Sequence, residues 1–80
     1  MGYDIKYHRA AEKYLDSQTN AMRKRIMDAI DDLPEGDVKK LRGRKGFRLT
    51  TGGYRVLFDY VDDSTIDVVT IAPRGDVYKK

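Results

Sequence analysis

Residues 47–58 read FRLTTGGYRVLF, a run in which apolar and polar side chains alternate on both sides of a Gly-Gly pair. Alternation with a period of two is typical of a half-buried β-strand, and a Gly-Gly pair suits a two-residue hairpin turn. In the predicted register Thr50 lies opposite Arg55, and Arg48 lies opposite Leu57. One face of this hairpin is then apolar and the other is polar. The apolar face carries Phe47, Leu49, Val56, Phe58 and Tyr60, and the polar face carries Arg48, Thr50 and Arg55.

The segment before this hairpin predicts one strand followed by two helices. Residues 3–7 alternate apolar and polar side chains, as a half-buried strand does. The first helix is expected to end near Asp16 and Ser17. The second begins at Thr19 or Ser17 as its cap and stops at Pro34, and residues 35–37 form a turn. The apolar stripes are Ala10, Ala11, Tyr14 and Leu15 in the first helix, and Met22, Ile26, Ala29, Ile30 and Leu33 in the second.

A last strand is predicted at residues 65–72, after a three-residue turn at residues 62–64. This register continues the apolar face but places Asp67 opposite Asp59, which is unfavourable for two carboxylates. Either the pair is splayed at an edge or cations of a partner meet it, and the sequence leaves both open. The predicted fold is α+β, in the order β-α-α-β-β-β. It is a small antiparallel sheet with a helical hairpin on one face, in a single domain over residues 1–80.

Composition excludes several classes of function. A chain of 80 residues, 40% hydrophobic and 36% charged, is typical of one compact domain. Without cysteine it has no disulfide, no thiol nucleophile and no cysteine zinc site. No membrane span or signal peptide is apparent, so the cytoplasm is the expected location and no membrane partner is expected. His8 is interpreted as a surface or helix-start residue. No phosphate-binding glycine loop occurs, and no metal or cofactor is predicted.

Positive charge is concentrated in one part of the chain. Residues 1–33 carry six bases and six acids, whereas residues 38–55 carry seven bases and no acid. One-sided positive charge favours a nucleic acid or an acidic protein as partner, and a solvated basic loop is the alternative. Arg48 and Arg55 are diagonal neighbours on the predicted hairpin, and two like charges so close are unfavourable unless an anion lies between them. The hairpin therefore predicts a phosphate-binding site.

Arginine, lysine and tyrosine on one face can support cleavage of RNA by its own 2′-hydroxyl group. Guanidinium groups bind phosphate oxygens in pairs and stabilise an anionic phosphorane. Proton transfer needs a group whose pKa can fall toward neutrality, and a lysine beside arginines meets that need. Tyr78 can stack on a base or relay a proton. Such a site is slow on free RNA unless the substrate geometry is imposed from outside.

Four motifs resemble, in order and spacing, the RelE-type toxins of bacterial toxin–antitoxin systems, within the RelE/ParE superfamily. They are Lys40-Leu41-Arg42-Gly43, Phe47-Arg48-Leu49, Gly53-Tyr54-Arg55-Val56 and Arg74-Gly75-Asp76-Val77-Tyr78. The resemblance covers essentially the whole chain. It implies an enzyme that cleaves mRNA in the A site of the ribosomal 30S subunit, next to the ribosomal RNA. It also implies a cognate antitoxin that wraps the toxin, which is a monomer when free and part of a hetero-oligomer with the antitoxin.

The resemblance also assigns site residues. The expected catalytic residues are Arg48, Arg55, Arg74 and Tyr78, and the expected RNA-binding residues are Lys39, Lys40, Arg42, Arg44 and Lys45. Where better-known members place a lysine two residues before Arg48, this chain has Gly46, so Lys45 or Arg44 would substitute for it. The general base is left open between Lys45 and Arg48.

Two other functions remain open from the sequence. One is a ParE-like toxin of the same fold, which inhibits DNA gyrase by binding and cuts nothing. The presence of Arg55, Arg74 and Tyr78 together favours the nuclease, because gyrase-binding members of the superfamily generally do not have all three. The other is a non-catalytic RNA-binding domain, which would lose only affinity on Arg55→Ala.

Overall fold

The computed structural model describes residues 3–73. These residues form two helices and five strands, and the strands make one sheet in the order β1-β5-β4-β3-β2. The predicted α+β fold is confirmed, with the helical hairpin on one face of the sheet. Neither helix among these residues is long and apolar enough to cross a membrane. The elements are β1 (Asp4–Tyr7), α1 (Arg9–Asp16), α2 (Asn20–Asp31), β2 (Asp37–Lys40), β3 (Phe47–Thr51), β4 (Tyr54–Asp62) and β5 (Thr65–Pro73).

The sheet is mixed, whereas the sequence predicted an antiparallel one. β1 pairs with β5 in parallel, and the other neighbouring strands pair antiparallel. The reason lies in the connections. Each connection between consecutive elements is short, so the chain reverses direction from one element to the next. β1 is the first of the seven elements and β5 the last, so these two strands run in the same direction. β1 can therefore join β5 only as a parallel strand.

Strand β2 was not predicted from the sequence. It has four residues, of which Val38 alone is apolar and half-buried, opposite Leu49. Lys39 lies opposite Arg48 in the same pairing. A short run with three charged residues does not show the alternation by which half-buried strands are recognised. Short, lysine-bearing strands are common at sheet edges, and β2 lies at one.

The helices cover one face of the sheet, as their apolar stripes predicted. Ala11 and Leu15 of α1 are buried, as is Ile26 of α2. The backbone nitrogen of Met22 donates to the Thr19 hydroxyl at 3.1 Å, so Thr19 caps α2. We call the sheet surface under the helices the inner face. Its buried residues are Leu49, Tyr54, Val56, Phe58, Ile66, Val68 and Ile71.

The predicted hairpin register is confirmed from the pair Thr51 and Tyr54 to the pair Phe47 and Phe58. The predicted alignment of β4 with β5 is also confirmed for the residues that face each other at its centre. The turn between these strands differs from the prediction. Asp62 pairs with Thr65, which leaves a two-residue turn at residues 63–64, and a register shift between Tyr60 and Asp62 absorbs the difference.

Candidate nucleic-acid interface

The sheet surface turned away from the helices carries the two hairpin arginines. We call it the outer face. Arg48 lies opposite Leu57, and Thr50 lies opposite Arg55. The two arginines are therefore diagonal neighbours on adjacent strands, about 7 Å apart at the backbone. The outer face includes Lys39, Arg48, Arg55, Leu57, Asp59 and Asp67.

Neither arginine has a hydrogen-bond partner for its Nε atom within the described chain, although Asp59 is a diagonal neighbour of Arg48, as Arg55 is. Both side chains are half-buried, and the Nε atom of each is buried with no hydrogen-bond partner among residues 3–73. Within this range neither forms an ion pair. A buried donor without a partner costs about 1–3 kcal/mol, and like charges at this spacing add repulsion. An anion bound between Arg48 and Arg55 would remove both costs.

Asp59 and Asp67 do lie opposite each other on the outer face, and basic side chains of the same chain lie beside both carboxylates. Lys45 Nζ is 3.7 Å from Asp59 Oδ2, and His8 Nε2 is 3.3 Å from Asp67 Oδ2. Lys6 also lies opposite Asp67, on β1. Neither splaying at an edge nor a partner's cations are needed to explain the pair.

His8 occupies the N-cap position of α1 and is exposed, which agrees with its interpretation as a helix-start residue. Sequence reasoning missed the contacts of Lys45 and His8 with the two acids. Each joins residues far apart in the chain, and alternation gives no signal of where a loop side chain reaches. Only the opposition of Asp59 and Asp67 pointed to cations at this place.

The five predicted RNA-binding residues lie along one edge of the sheet. Lys39 and Lys40 are on β2, where Lys39 faces outward opposite Arg48 and Lys40 lies opposite Phe47. The other three are in the loop after β2, which is closed by a hydrogen bond from the Leu41 nitrogen to the Gly46 carbonyl at 3.0 Å. We call these exposed cations the basic strip. It consists of Lys39, Lys40, Arg42, Arg44 and Lys45.

The other two predicted catalytic residues, Arg74 and Tyr78, lie outside the described residues. The strand that leads toward them is β5, whose last residue Pro73 lies opposite Tyr54. One position earlier, Ala72 lies opposite Arg55. The described chain thus ends on the strand next to Arg55.

Tyr54 belongs to the inner face and not to the site. Its side chain is 3% exposed. Burial raises the pKa of its hydroxyl, an effect that the nearby Arg25 partly offsets. Tyr54 is therefore a residue of the core.

No protein-family model matches the chain, and no curated protein is significantly similar to it in sequence. Several solved structures are similar. The RelE–RelB complex of Pyrococcus horikoshii OT3 is 30% identical, over 94% of this chain and 98% of that one, with a TM-score of 0.71. The toxin–antitoxin complex RelBE2 of Mycobacterium tuberculosis is 21% identical, over 92% and 100% of the two chains, with a TM-score of 0.76. The isolated E. coli RelE toxin is 20% identical, over 95% and 90%, with a TM-score of 0.64. With 30% identity to a RelE-type chain over nearly its whole length, the chain belongs to the RelE family of toxins from toxin–antitoxin systems.

Proposed function

We propose that this toxin is an endoribonuclease that cuts mRNA in the ribosomal A site, with the 2′-hydroxyl of the RNA as the nucleophile. One observation carries the proposal beyond family membership. Arg48 and Arg55 are fixed side by side on the outer face, and their buried Nε atoms have no acceptor among residues 3–73. A scissile phosphate supplies such acceptors, and its charge grows in the transition state.

The proposed reaction forms one phosphorus–oxygen bond and breaks another. The 2′-oxygen attacks phosphorus, the bond to the 5′-oxygen breaks, and the products are a 2′,3′-cyclic phosphate and a 5′-hydroxyl. Arg55 and Arg48 bind the non-bridging oxygens and stabilise the phosphorane. Arg74 adds a third cation, and Tyr78 orients the nucleotide by stacking.

Within the basic strip, Lys39, Lys40, Arg42 and Arg44 are proposed to hold the RNA rather than to react with it. These side chains are exposed at one edge of the sheet, where Lys39 lies directly opposite Arg48. Exposed lysines and arginines bind phosphates of the backbone in a way that depends on salt and hardly on sequence. Ribosomal RNA around the 30S A site offers such phosphates. The ribosome would thereby impose the in-line geometry that speeds the attack.

We propose a cognate antitoxin protein as the partner that controls this activity. The similar structures from P. horikoshii and M. tuberculosis are complexes of this kind. An antitoxin that covers the basic strip would compete with RNA for the same cations. The free toxin is then a cytoplasmic monomer, and the inhibited form is a hetero-oligomer.

The test is cleavage by purified ribosomes programmed with a defined mRNA, followed by mapping of the new 5′ ends. The wild-type protein is expected to give cuts in register with codons. Arg55→Ala is expected to lower the rate about 10²–10³-fold, because it removes one donor to the phosphorane. Arg23→Ala is the matched control, since Arg23 is a half-buried arginine on α2 that donates to the Leu15 carbonyl. It should cut at the wild-type rate.

Other outcomes would replace the proposal. Intact mRNA together with blocked DNA supercoiling by gyrase would assign the protein to the gyrase-inhibiting class. Intact mRNA with RNA binding that Arg55→Ala weakens would indicate a binding domain without catalysis.

A further inference from the structure

Gly46 is buried just before the start of β3, where a side chain would not fit without strain. Phe47 pairs with Phe58, so Gly46 stands beside Asp59 at the end of the β3–β4 pairing. Its φ is +117°, a value that favours glycine. A Cβ atom there would lie 3.2 Å from the Phe58 carbonyl oxygen and 3.3 Å from Leu41 Cδ1. A lysine at position 46 would require the backbone to shift.

Lys45, the residue before Gly46, contacts Asp59 on the outer face. Its ammonium lies 3.7 Å from Asp59 Oδ2. The Tyr60 nitrogen donates to Asp59 Oδ1 at 2.9 Å, which fixes the carboxylate with its second oxygen toward Lys45. Asp59 is two residues beyond Leu57, the residue opposite Arg48, so it is a diagonal neighbour of Arg48. Lys45 is thus brought to the same surface as the arginines, although it precedes β3.

We infer that Asp59 is a positioning residue that draws the Lys45 ammonium onto the outer face, where Lys45 protonates the departing 5′-oxygen. The inference rests on the proposed function and adds to it a proton donor and the residue that places it. Nothing in the four sequence motifs includes Asp59.

The chemistry follows from the hydrogen-bonding capacity of each cation. Guanidinium does not release its proton in proteins, so Arg48 and Arg55 stabilise charge and transfer nothing. An ammonium carries three N–H donors and no lone pair, so it is a proton donor and not a base. As the P–O5′ bond breaks, its electron pair goes to the 5′-oxygen, which takes a proton from Lys45 Nζ. The resulting amine is reprotonated by water, and the 2′-hydroxyl proton goes to water.

The test replaces the leaving oxygen. In an mRNA with sulfur in the bridging 5′ position at the cut site, the thiolate departs without protonation. Lys45→Ala is expected to slow cleavage of the ordinary mRNA about 100-fold, within the range for loss of a general acid. It should cut the sulfur-substituted mRNA at nearly the wild-type rate. Lys39→Ala is the matched control, because Lys39 lies opposite Arg48 on the same face and should affect both substrates equally.

The role of Asp59 is tested by asking whether the effect of its substitution requires Lys45. Asp59→Asn should slow cleavage of the ordinary mRNA about tenfold and should cut the sulfur-substituted mRNA at nearly the wild-type rate. Asp59→Glu keeps the carboxylate and should cut the ordinary mRNA faster than Asp59→Asn does. The double variant Lys45→Ala with Asp59→Asn should be no slower than Lys45→Ala alone. Thermal unfolding of each variant checks that it is folded.

Three results would overturn the inference while the proposed function stands. They are equal loss on both substrates for Lys45→Ala, a wild-type rate for Asp59→Asn, and additive losses in the double variant. Two other results would refute the proposed function itself. One is that the wild-type protein cuts neither substrate, and the other is that Arg55→Ala cuts as fast as the wild type.

Discussion

The two faces of the sheet differ in whether their side chains find partners within the chain. On the inner face, Val56, Phe58 and Val68 are at most 1% exposed and pack against the helices. On the outer face, the Nε atoms of Arg48 and Arg55 are buried without a partner among residues 3–73. The inner-face side chains pack within the chain, whereas the outer face presents two donors to which the proposed phosphate would bind. Stability and activity should therefore respond to substitutions on opposite sides of the same strands.

The largest effect on stability is expected from Phe58→Ala. Phe58 is 1% exposed, and its ring lies 5.7 Å from that of Phe47 and 5.8 Å from that of Tyr60. Truncation should lower the free energy of unfolding by about 3–5 kcal/mol through lost burial and the cavity left behind. Urea unfolding followed by circular dichroism measures it. Leu57→Ala, one position along on the outer face, is the control and should cost less than half as much. Equal costs would contradict the contrast between the faces.

A smaller effect is expected where the basic strip meets the sheet, at Gly46. Gly46→Ala combines φ of +117° with a Cβ contact of 3.2 Å to the Phe58 carbonyl, and should cost about 1–3 kcal/mol. Gly43 in the same loop has φ of +69° and no atom within 4 Å of the Cβ position. Gly43→Ala should therefore cost only about 1 kcal/mol. The same urea experiment compares the two, and a greater loss for Gly43→Ala would show that the Phe58 contact is not limiting.

Much of the fold could be predicted because local patterns fix it. The Gly52-Gly53 turn sets the register of β3 with β4, and the alternation that follows sets β4 against β5. The missed features depend on distant parts of the chain. β2 is a strand because β3 offers it an edge, and its own residues carry only Val38 as an apolar signal. The parallel pairing of β1 follows from the sum of all the chain reversals, which no single segment encodes.

The site divides in the same way. The diagonal placement of Arg48 and Arg55 follows from the hairpin register and was predicted. The contact of Lys45 with Asp59 was not, because it depends on the course of a loop and on the backbone angle at Gly46.

The third prediction concerns the proposed anion site between Arg48 and Arg55. The double variant Arg48→Met with Arg55→Met should unfold within about 1 kcal/mol of wild type, because unpaired donors and like charges are replaced by apolar groups. Inorganic phosphate at ten times its Kd should stabilise the wild type by about 1.4 kcal/mol through binding to the folded state. The double variant should lack this gain. Thermal unfolding in phosphate against chloride of equal ionic strength measures it, and the same phosphate effect in both proteins would refute an anion site at these arginines.

The fourth prediction concerns one ionisable group of the inner face, the hydroxyl of Tyr54. Burial raises the pKa of Tyr54 above its ordinary value of 10.0. The folded state then holds this proton more tightly than the unfolded state does. The stabilisation is fully present below pH 10 and is lost as the pH rises through the folded pKa. Tyr54→Phe keeps the ring and should flatten the fall in unfolding free energy above pH 10, as measured by urea unfolding between pH 8 and 11. An unchanged slope would contradict it.

The smallest effect is expected at Asp62, the last residue of β4, which lies beside the turn to β5. Its pKa is held below the ordinary 3.8, first by the hydrogen bond from the Ser64 nitrogen at 2.9 Å and also by the Thr65 side chain. The unfolded state binds this proton more readily, so the stabilisation is present above pH 3.8 and is lost as the pH falls through the folded pKa. Asp62→Asn should therefore reduce the dependence of unfolding on pH between about 2.5 and 5, with little change at pH 7 because the group is exposed. Asp63→Asn in the same turn is the control. If both variants keep the wild-type acid slope, the lowered pKa of Asp62 does not contribute to it.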